Sequence, residues 1–82
     1  MEALPLSKRL IAYLEKHQLG KVFQKQFDFF LDNPFHPSLH TESLEPKHLH
    51  LYSFRFTRSY RAIFIYRSEG LIEIIDVNNH YH

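Results

Sequence analysis

Two arginines and a histidine–tyrosine pair have the residue types that phosphate chemistry uses. Arg55 lies in the segment LYSFRFT, where aromatic and polar residues alternate, and Arg61 opens the next apolar run. Neighbouring side chains of a strand point to opposite faces, so burial of the aromatic residues leaves Arg55 on the outer face, which Arg61 can share. His80 and Tyr81 follow a third apolar run. Because guanidinium groups bind phosphate oxygens in pairs, the pattern predicts a phosphate-binding cluster on an open sheet face.

Each of these residues also has a structural interpretation. Arginine is common on the solvent-facing side of a sheet, where an isolated charge contributes little to stability. Asp76 lies within the third apolar run and can be an inter-strand partner for Arg55 or Arg61. His80 and Tyr81 can belong to a frayed chain end. The residue types alone leave both interpretations open.

The remaining histidines suggest a metal site only through their spacing. His36 and His40 are four residues apart, but they lie in a proline-rich segment where helical spacing has little meaning. His48 and His50 can share one side of an extended segment. The sequence contains no cysteine and no HExxH motif. A zinc site is the alternative, and the sequence favours a site without metal or cofactor.

Two helices precede the strands that carry these residues. Residues 7–18 have apolar side chains on one face, with Ser7 as the N-cap and Gly20 as the left-handed residue after the helix. Residues 19–33 repeat apolar side chains at spacings of three and four, and Pro34 ends the run.

The second half of the chain changes to the period of a strand. Residues 34–50 contain three prolines and four histidines, which predicts a connecting loop. Three β-branched and aromatic segments then predict an antiparallel three-stranded meander, with RSEG as a hairpin turn. A short strand around residues 3–6 comes before the helices. The predicted fold class is therefore α+β, with both helices on one face of the sheet.

Length and composition restrict the class of protein. A chain of 82 residues can close one hydrophobic core, which predicts a single domain over residues 1–82. No segment approaches the roughly 20 apolar residues that cross a bilayer, so we expect a soluble intracellular protein. The formal net charge is only +1, unlike the strongly basic charge of nonspecific nucleic-acid binders.

Three stretches resemble the RelE/ParE superfamily of bacterial toxins over nearly the whole chain: NPFHPSLHTESLEP, YSFRFTRSYRAIFIY and LIEIIDVNNHYH. The last stretch is most similar to the YoeB and YafQ groups, which cut mRNA in the ribosomal A site. The resemblance implies the toxin of a type II toxin–antitoxin module, acting in the cytoplasm as a metal-independent, ribosome-dependent endoribonuclease. It implies a cognate antitoxin, the ribosome and A-site mRNA as partners, no membrane, and DNA contact only through the antitoxin.

The resemblance also implies roles for the residues named above. Arg61 matches a catalytic arginine of these toxins and Arg55 a basic residue upstream of it, and both would stabilise charge on the phosphate. His80 stands at the position of a catalytic histidine and would be the general acid. Tyr81 would orient the substrate by stacking on a base.

The general base and the target have alternatives. Glu42 falls near the catalytic glutamate of these toxins, and His50 lies in the region where YafQ-like enzymes have catalytic histidines, so either would be the base. Many ribosome-dependent toxins are strongly basic, whereas this chain is nearly neutral. A ParE-like toxin that inhibits gyrase, or an inactive member that only binds antitoxin, are the alternative functions.

Overall fold

Two helices follow a very short first strand. The computed structural model describes residues 1–79, and it begins with β1 (Glu2–Ala3), α1 (Lys8–Lys16) and α2 (Gly20–Asp32). The side chain of Ser7 accepts a hydrogen bond of 3.1 Å from the backbone N–H of Leu10. Because the first amides of a helix have no partner inside it, this bond stabilises the start of α1 and confirms the predicted N-cap.

The connection between the helices differs from the prediction. Gln18, with φ 57°, adopts the left-handed conformation that we expected at Gly20, and Gly20 is the first residue of α2. The backbone N–H of Leu19 donates to the carbonyl of Leu14 at 2.7 Å, and that of Gln18 donates to Glu15 at 3.1 Å. This pair of bonds is the Schellman motif, which requires the left-handed residue immediately before the apolar residue that packs back on the helix. Leu19 is that apolar residue, so the prediction for Gly20 was wrong.

The second half of the chain forms most of a five-stranded sheet. Its strands are β2 (Glu42–Ser43), β3 (Tyr52–Arg55), β4 (Arg61–Ser68) and β5 (Leu71–Asn78), in the order β1-β5-β4-β3-β2. β1 runs parallel to β5, and all other neighbours are antiparallel. The α+β class, the meander and the hairpin at Gly70 (φ 76°) are confirmed. β2 is an addition, because it lies in the segment predicted to be a loop.

An aromatic core joins α2 to one face of the sheet. The rings of Phe30 and Phe54 stack with their centroids 4.2 Å apart, and both side chains are fully buried. Phe64 packs edge-on against Phe30 at 5.1 Å. Because side chains alternate along a strand, the even-numbered residues of β3 and β4 face this core and the odd-numbered residues face the other side.

Among residues 1–79, no helix is long and apolar enough to cross a membrane.

Candidate active site on the outer face of the sheet

Arg61 is the centre of a polar cluster and is almost completely buried. Its side chain is 3% exposed. Its Nε donates to the hydroxyl of Ser53 at 2.9 Å, and its Nη2 donates to the carbonyl of His40 at 2.7 Å. The same Nη2 lies 3.5 Å from Oε1 of Glu42. A buried charge is costly unless it is paired and hydrogen-bonded, so these partners are what allow the guanidinium to stay in this place.

Strand register brings these side chains together. Arg61 lies directly opposite Arg55 on β3 and opposite Asn78 on β5, while Glu42 of β2 lies opposite Ser53. Residues directly opposite each other in an antiparallel pair project from the same face. The register confirms that Arg55 and Arg61 share the face away from the aromatic core.

This face is covered at Arg61 and accessible beside it. The chain around His40 and Glu42 lies against Arg61, so the expectation of two open guanidinium groups was wrong for this residue. Arg55 is half-buried, and its side chain forms no hydrogen bond or ion pair with any part of the described chain. The side chain of Glu42 is 43% exposed. Arg55 and Glu42 are therefore accessible to a ligand, whereas Arg61 lies beneath them.

His50 lies at the other end of the sheet. It adopts a left-handed conformation (φ 54°) after the 3-10 turn Lys47–Leu49, and it lines a groove of about 400 Å³ with Leu49, Tyr52, Ile65 and Tyr66. Burial, and to a smaller extent the nearby Tyr52, raises the pKa of the Tyr66 phenol. Ile65 lies four residues beyond Arg61 on β4, which is roughly 13 Å at the rise of a strand. The structure thus groups Glu42, and not His50, with Arg61.

Asp76 has a different partner from the one we expected. Its carboxylate lies 3.8 Å from a guanidinium nitrogen of Arg9 on α1, and Arg9 also donates to the carbonyl of Ile75 at 3.0 Å. The register explains this pairing, because Asp76 lies opposite Ile63. The prediction that Asp76 pairs with an arginine of the sheet was wrong.

The last strand ends beside the polar cluster. Asn78, its final residue, is the register partner of Arg61. The predicted general acid His80 and the predicted stacking residue Tyr81 lie outside the described residues.

Within residues 1–79, no three histidine, aspartate or glutamate side chains are close enough together to hold a metal ion.

Two contributors to the cluster were missed by the sequence analysis. Ser53 is fully buried and accepts a hydrogen bond from Arg61, and the carbonyl of His40 accepts another. The alternation of β3 contained a signal for Ser53, since this small polar residue is on the same face as Arg55. No comparable signal exists for a backbone carbonyl in a loop.

Comparison with known proteins gives the fold. No protein-family model and no curated protein sequence matches the chain. The structure is similar to that of the YoeB/ParE toxin from Agrobacterium tumefaciens, with a TM-score of 0.69 over 99% of this chain and 100% of that chain. The chain has the YoeB/ParE toxin fold. The two sequences are 16% identical, so the likeness concerns the fold and not the side chains of the site.

Within the YoeB/ParE fold, this chain combines groups that suit phosphoryl transfer. The carboxylate of Glu42 can accept a proton, and the exposed side of Arg55 can stabilise negative charge on a phosphate. Arg61 supplies a second, fixed positive charge behind both of them. Arg55 and Arg61 lie at the end of the sheet where β5 finishes at Asn78.

Proposed function

We propose that the chain is the toxin of a type II toxin–antitoxin pair and cleaves ribosome-bound mRNA without a metal ion. The fold supports the general role, because the similar structure is that of a protein described as a toxin. The observation that carries the nuclease role is the carboxylate of Glu42, 3.5 Å from the buried guanidinium of Arg61, with the half-exposed Arg55 beside them. A proton acceptor next to fixed positive charge is what cleavage of a phosphodiester by its own 2′-hydroxyl requires.

In the proposed reaction, Glu42 removes the proton of the 2′-hydroxyl, and the oxygen attacks the adjacent phosphorus. Arg55 stabilises the charge that develops on the phosphate oxygens, and Arg61 adds to the positive potential from below. The bond to the 5′-oxygen breaks, and His80 donates a proton to that oxygen. The products are a 2′,3′-cyclic phosphate and a 5′-hydroxyl. Tyr81 stacks on a base of the substrate.

Glu42 is a better candidate for the base than His50. A general base must come within hydrogen-bond reach of the proton that it removes. Glu42 is in contact with Arg61, whereas His50 lines the groove with Tyr66 at the other end of β4.

The nuclease proposal implies the partners and the location of the protein. The ribosome and its A-site mRNA are the targets, and a cognate antitoxin keeps the site inactive until it is needed. Since ribosomes are cytoplasmic, the protein acts in the cytoplasm. DNA is reached only through the antitoxin.

Expression in a bacterial host tests the proposal. Induction of the wild-type chain should stop growth and produce discrete mRNA cuts with 5′-hydroxyl ends, mapped by sequencing of RNA ends. Glu42→Gln keeps an acceptor for Arg61 but not a proton acceptor, so cutting should fall by about a hundredfold or more. The matched control is Glu45→Gln, which removes one negative charge from an exposed residue in the same segment and should cut like wild type.

Two results would contradict the nuclease role. Growth arrest with intact mRNA and an induced DNA-damage response would indicate a gyrase-directed toxin. Normal growth with retained binding to the antitoxin would indicate an inactive protein.

A further inference from the structure

A second polar depression lies next to the candidate active site. It has a volume of about 400 Å³ and is formed by α2, the 3-10 turn Pro37–Leu39, the end of β3 and the turn after it. We call it the Arg58 notch, and its lining residues are Gln26, Ser38, Arg55, Phe56, Thr57 and Arg58. Its volume is within the range of roughly 300–1,000 Å³ that small-molecule sites have.

The wall of the Arg58 notch is held in a defined conformation. The hydroxyl of Thr57 accepts hydrogen bonds from the backbone N–H groups of Ser59 at 3.2 Å and Tyr60 at 3.0 Å. The N–H of Phe56 donates to the carbonyl of Tyr60 at 3.1 Å, which closes the turn between β3 and β4. Arg58 lies inside this turn. A closed turn restricts the backbone from which the guanidinium projects. Less backbone entropy is therefore lost when the side chain of Arg58 binds a ligand.

The charged groups of the notch are all positive. Arg55 and Arg58 line it, and no carboxylate does. The side chains of Arg55, Arg58 and Gln26 form no hydrogen bond or ion pair with another residue between 1 and 79. By contrast, Arg67 of β4 is bound to the carboxylate of Glu73. The notch therefore presents two guanidinium groups and one amide donor to a ligand, and these donors match the oxygens of a phosphate.

The notch and the candidate active site share one residue. Arg55 lines the notch and lies directly opposite Arg61 in the sheet. We propose that the Arg58 notch is a subsite for single-stranded RNA, in which Arg58 and Gln26 bind the phosphodiester that neighbours the cleaved bond. This inference rests on the proposed nuclease function. Arg58 would hold the RNA backbone in register, and Arg55 would lie between the two phosphates.

Binding to a nuclease-resistant RNA tests the subsite apart from cleavage. The probe is a fluorescent single-stranded 2′-O-methyl octanucleotide, which lacks the attacking hydroxyl, titrated with the purified chain at several salt concentrations. Affinity falls as salt rises, and loss of one phosphate contact lowers the magnitude of the slope of log affinity against log salt by about 0.7. Arg58→Ala should show this smaller slope. If the variant and the wild type bind equally at a reference of about 1 M salt, the difference in slope makes the variant bind about fivefold more weakly at about 0.1 M salt. Gln26→Ala should weaken binding with no change of slope.

The matched control is Arg67→Ala, which removes the same charge from an exposed residue of β4 that the notch does not include. Its salt slope should equal that of the wild type. Equal slopes for Arg58→Ala and Arg67→Ala would overturn the proposal, because the effect would then be one of net charge. Circular dichroism and the urea midpoint verify that each variant is folded.

Two further probes identify the ligand. Adenosine monophosphate that binds as tightly as the octanucleotide, and depends on Arg58 to the same extent, would replace the RNA subsite by a site for free nucleotides. A polyglutamate peptide that displaces the octanucleotide at equal concentration would replace it by a site for acidic protein segments. Failure of the nuclease proposal would appear separately, as intact mRNA in the expressing cells, whereas failure of the subsite appears as an unchanged salt slope for Arg58→Ala.

Discussion

Arg61 shows how one residue can belong to a candidate site and also contribute to the stability of the fold. A guanidinium that is 3% exposed loses most of its hydration, and it replaces that hydration by donating hydrogen bonds to the hydroxyl of Ser53 and to the carbonyl of His40. The ion pair with Glu42 adds a third contact. Substitution of Arg61 by alanine therefore affects folding as well as any reaction, and neighbouring residues are better tests of its role.

Ser53→Ala is the first residue-scale test. The change removes the oxygen that accepts from Nε of Arg61, so we expect a loss of about 1–3 kcal/mol in the free energy of unfolding, measured with urea. Ser68→Ala, at an exposed position of β4, should stay within about 0.5 kcal/mol of the wild type. Equal stability of the two variants would show that the Arg61 contact contributes nothing to the fold.

His80→Gln tests the proton donor. If His80 protonates the 5′-oxygen, it must be protonated before the reaction, so the cleavage rate should fall as pH rises through the titration of the histidine, ordinarily near 6.5. The variant should lose this alkaline limb of the pH profile and cleave roughly a hundredfold more slowly. The measurement is single-turnover cleavage on programmed ribosomes, followed from about one pH unit below the ordinary histidine pKa to about two units above it. An unchanged profile with reduced antitoxin binding would place the histidine in the protein interface.

At the scale of elements, the link between α1 and α2 shows that the position of an apolar residue can override glycine preference. The Schellman motif packs Leu19 back toward Leu14, and the left-handed conformation therefore falls on Gln18, one residue earlier. Gly20 is left without a conformational reason to be glycine, because its φ is negative and a Cβ there would meet nothing within 4 Å.

Gly20→Ala should therefore stabilise the protein. Alanine has fewer conformations in the unfolded chain, which contributes about 0.4–1 kcal/mol when the folded backbone accepts it. Gly70→Ala is the matched control, because Gly70 has a φ of 76° in the turn between β4 and β5. Alanine at Gly70 should destabilise by about 1 kcal/mol or more. Thermal and urea unfolding of the pair should give opposite signs, and a loss of stability in both would refute the reasoning.

At the scale of the whole molecule, one side of the sheet is packed and the other carries the polar groups. The helices cover the aromatic core, whereas Glu42 and Arg55 remain accessible on the opposite face. An extended segment with acidic and apolar side chains can cover such a face, and it can fold as it binds. This asymmetry supports the proposed inhibition by an antitoxin, which would lie directly over the candidate site.

Co-expression with the neighbouring reading frame tests this mode of inhibition. We expect a tight 1:1 complex that co-elutes in gel filtration, and slower hydrogen exchange in β2 and in the turn at Arg58 than in the free chain. Exchange at the α1–α2 link should not change, and this link serves as the internal control. Recovery of a free, nontoxic monomer would contradict the prediction.

The sequence by itself determined the elements with a strong local period. The apolar spacing of both helices, the Ser7 cap, the three strands of the meander and the turn at Gly70 all follow from interactions within a few residues, and all of them are present. It also placed Arg55 and Arg61 on one face, because alternation along a strand is a local property.

Tertiary structure decided which partners the charged residues have. β2 is two residues long, so it exists only because β3 is there to pair with it. Asp76 pairs with Arg9 because register sets Asn78, and not Asp76, opposite Arg61. The burial of Arg61 depends on where residues 40–42 pack, which is a contact between segments about 20 residues apart. Register and loop packing are set by the whole chain, and for this reason no local pattern contained them.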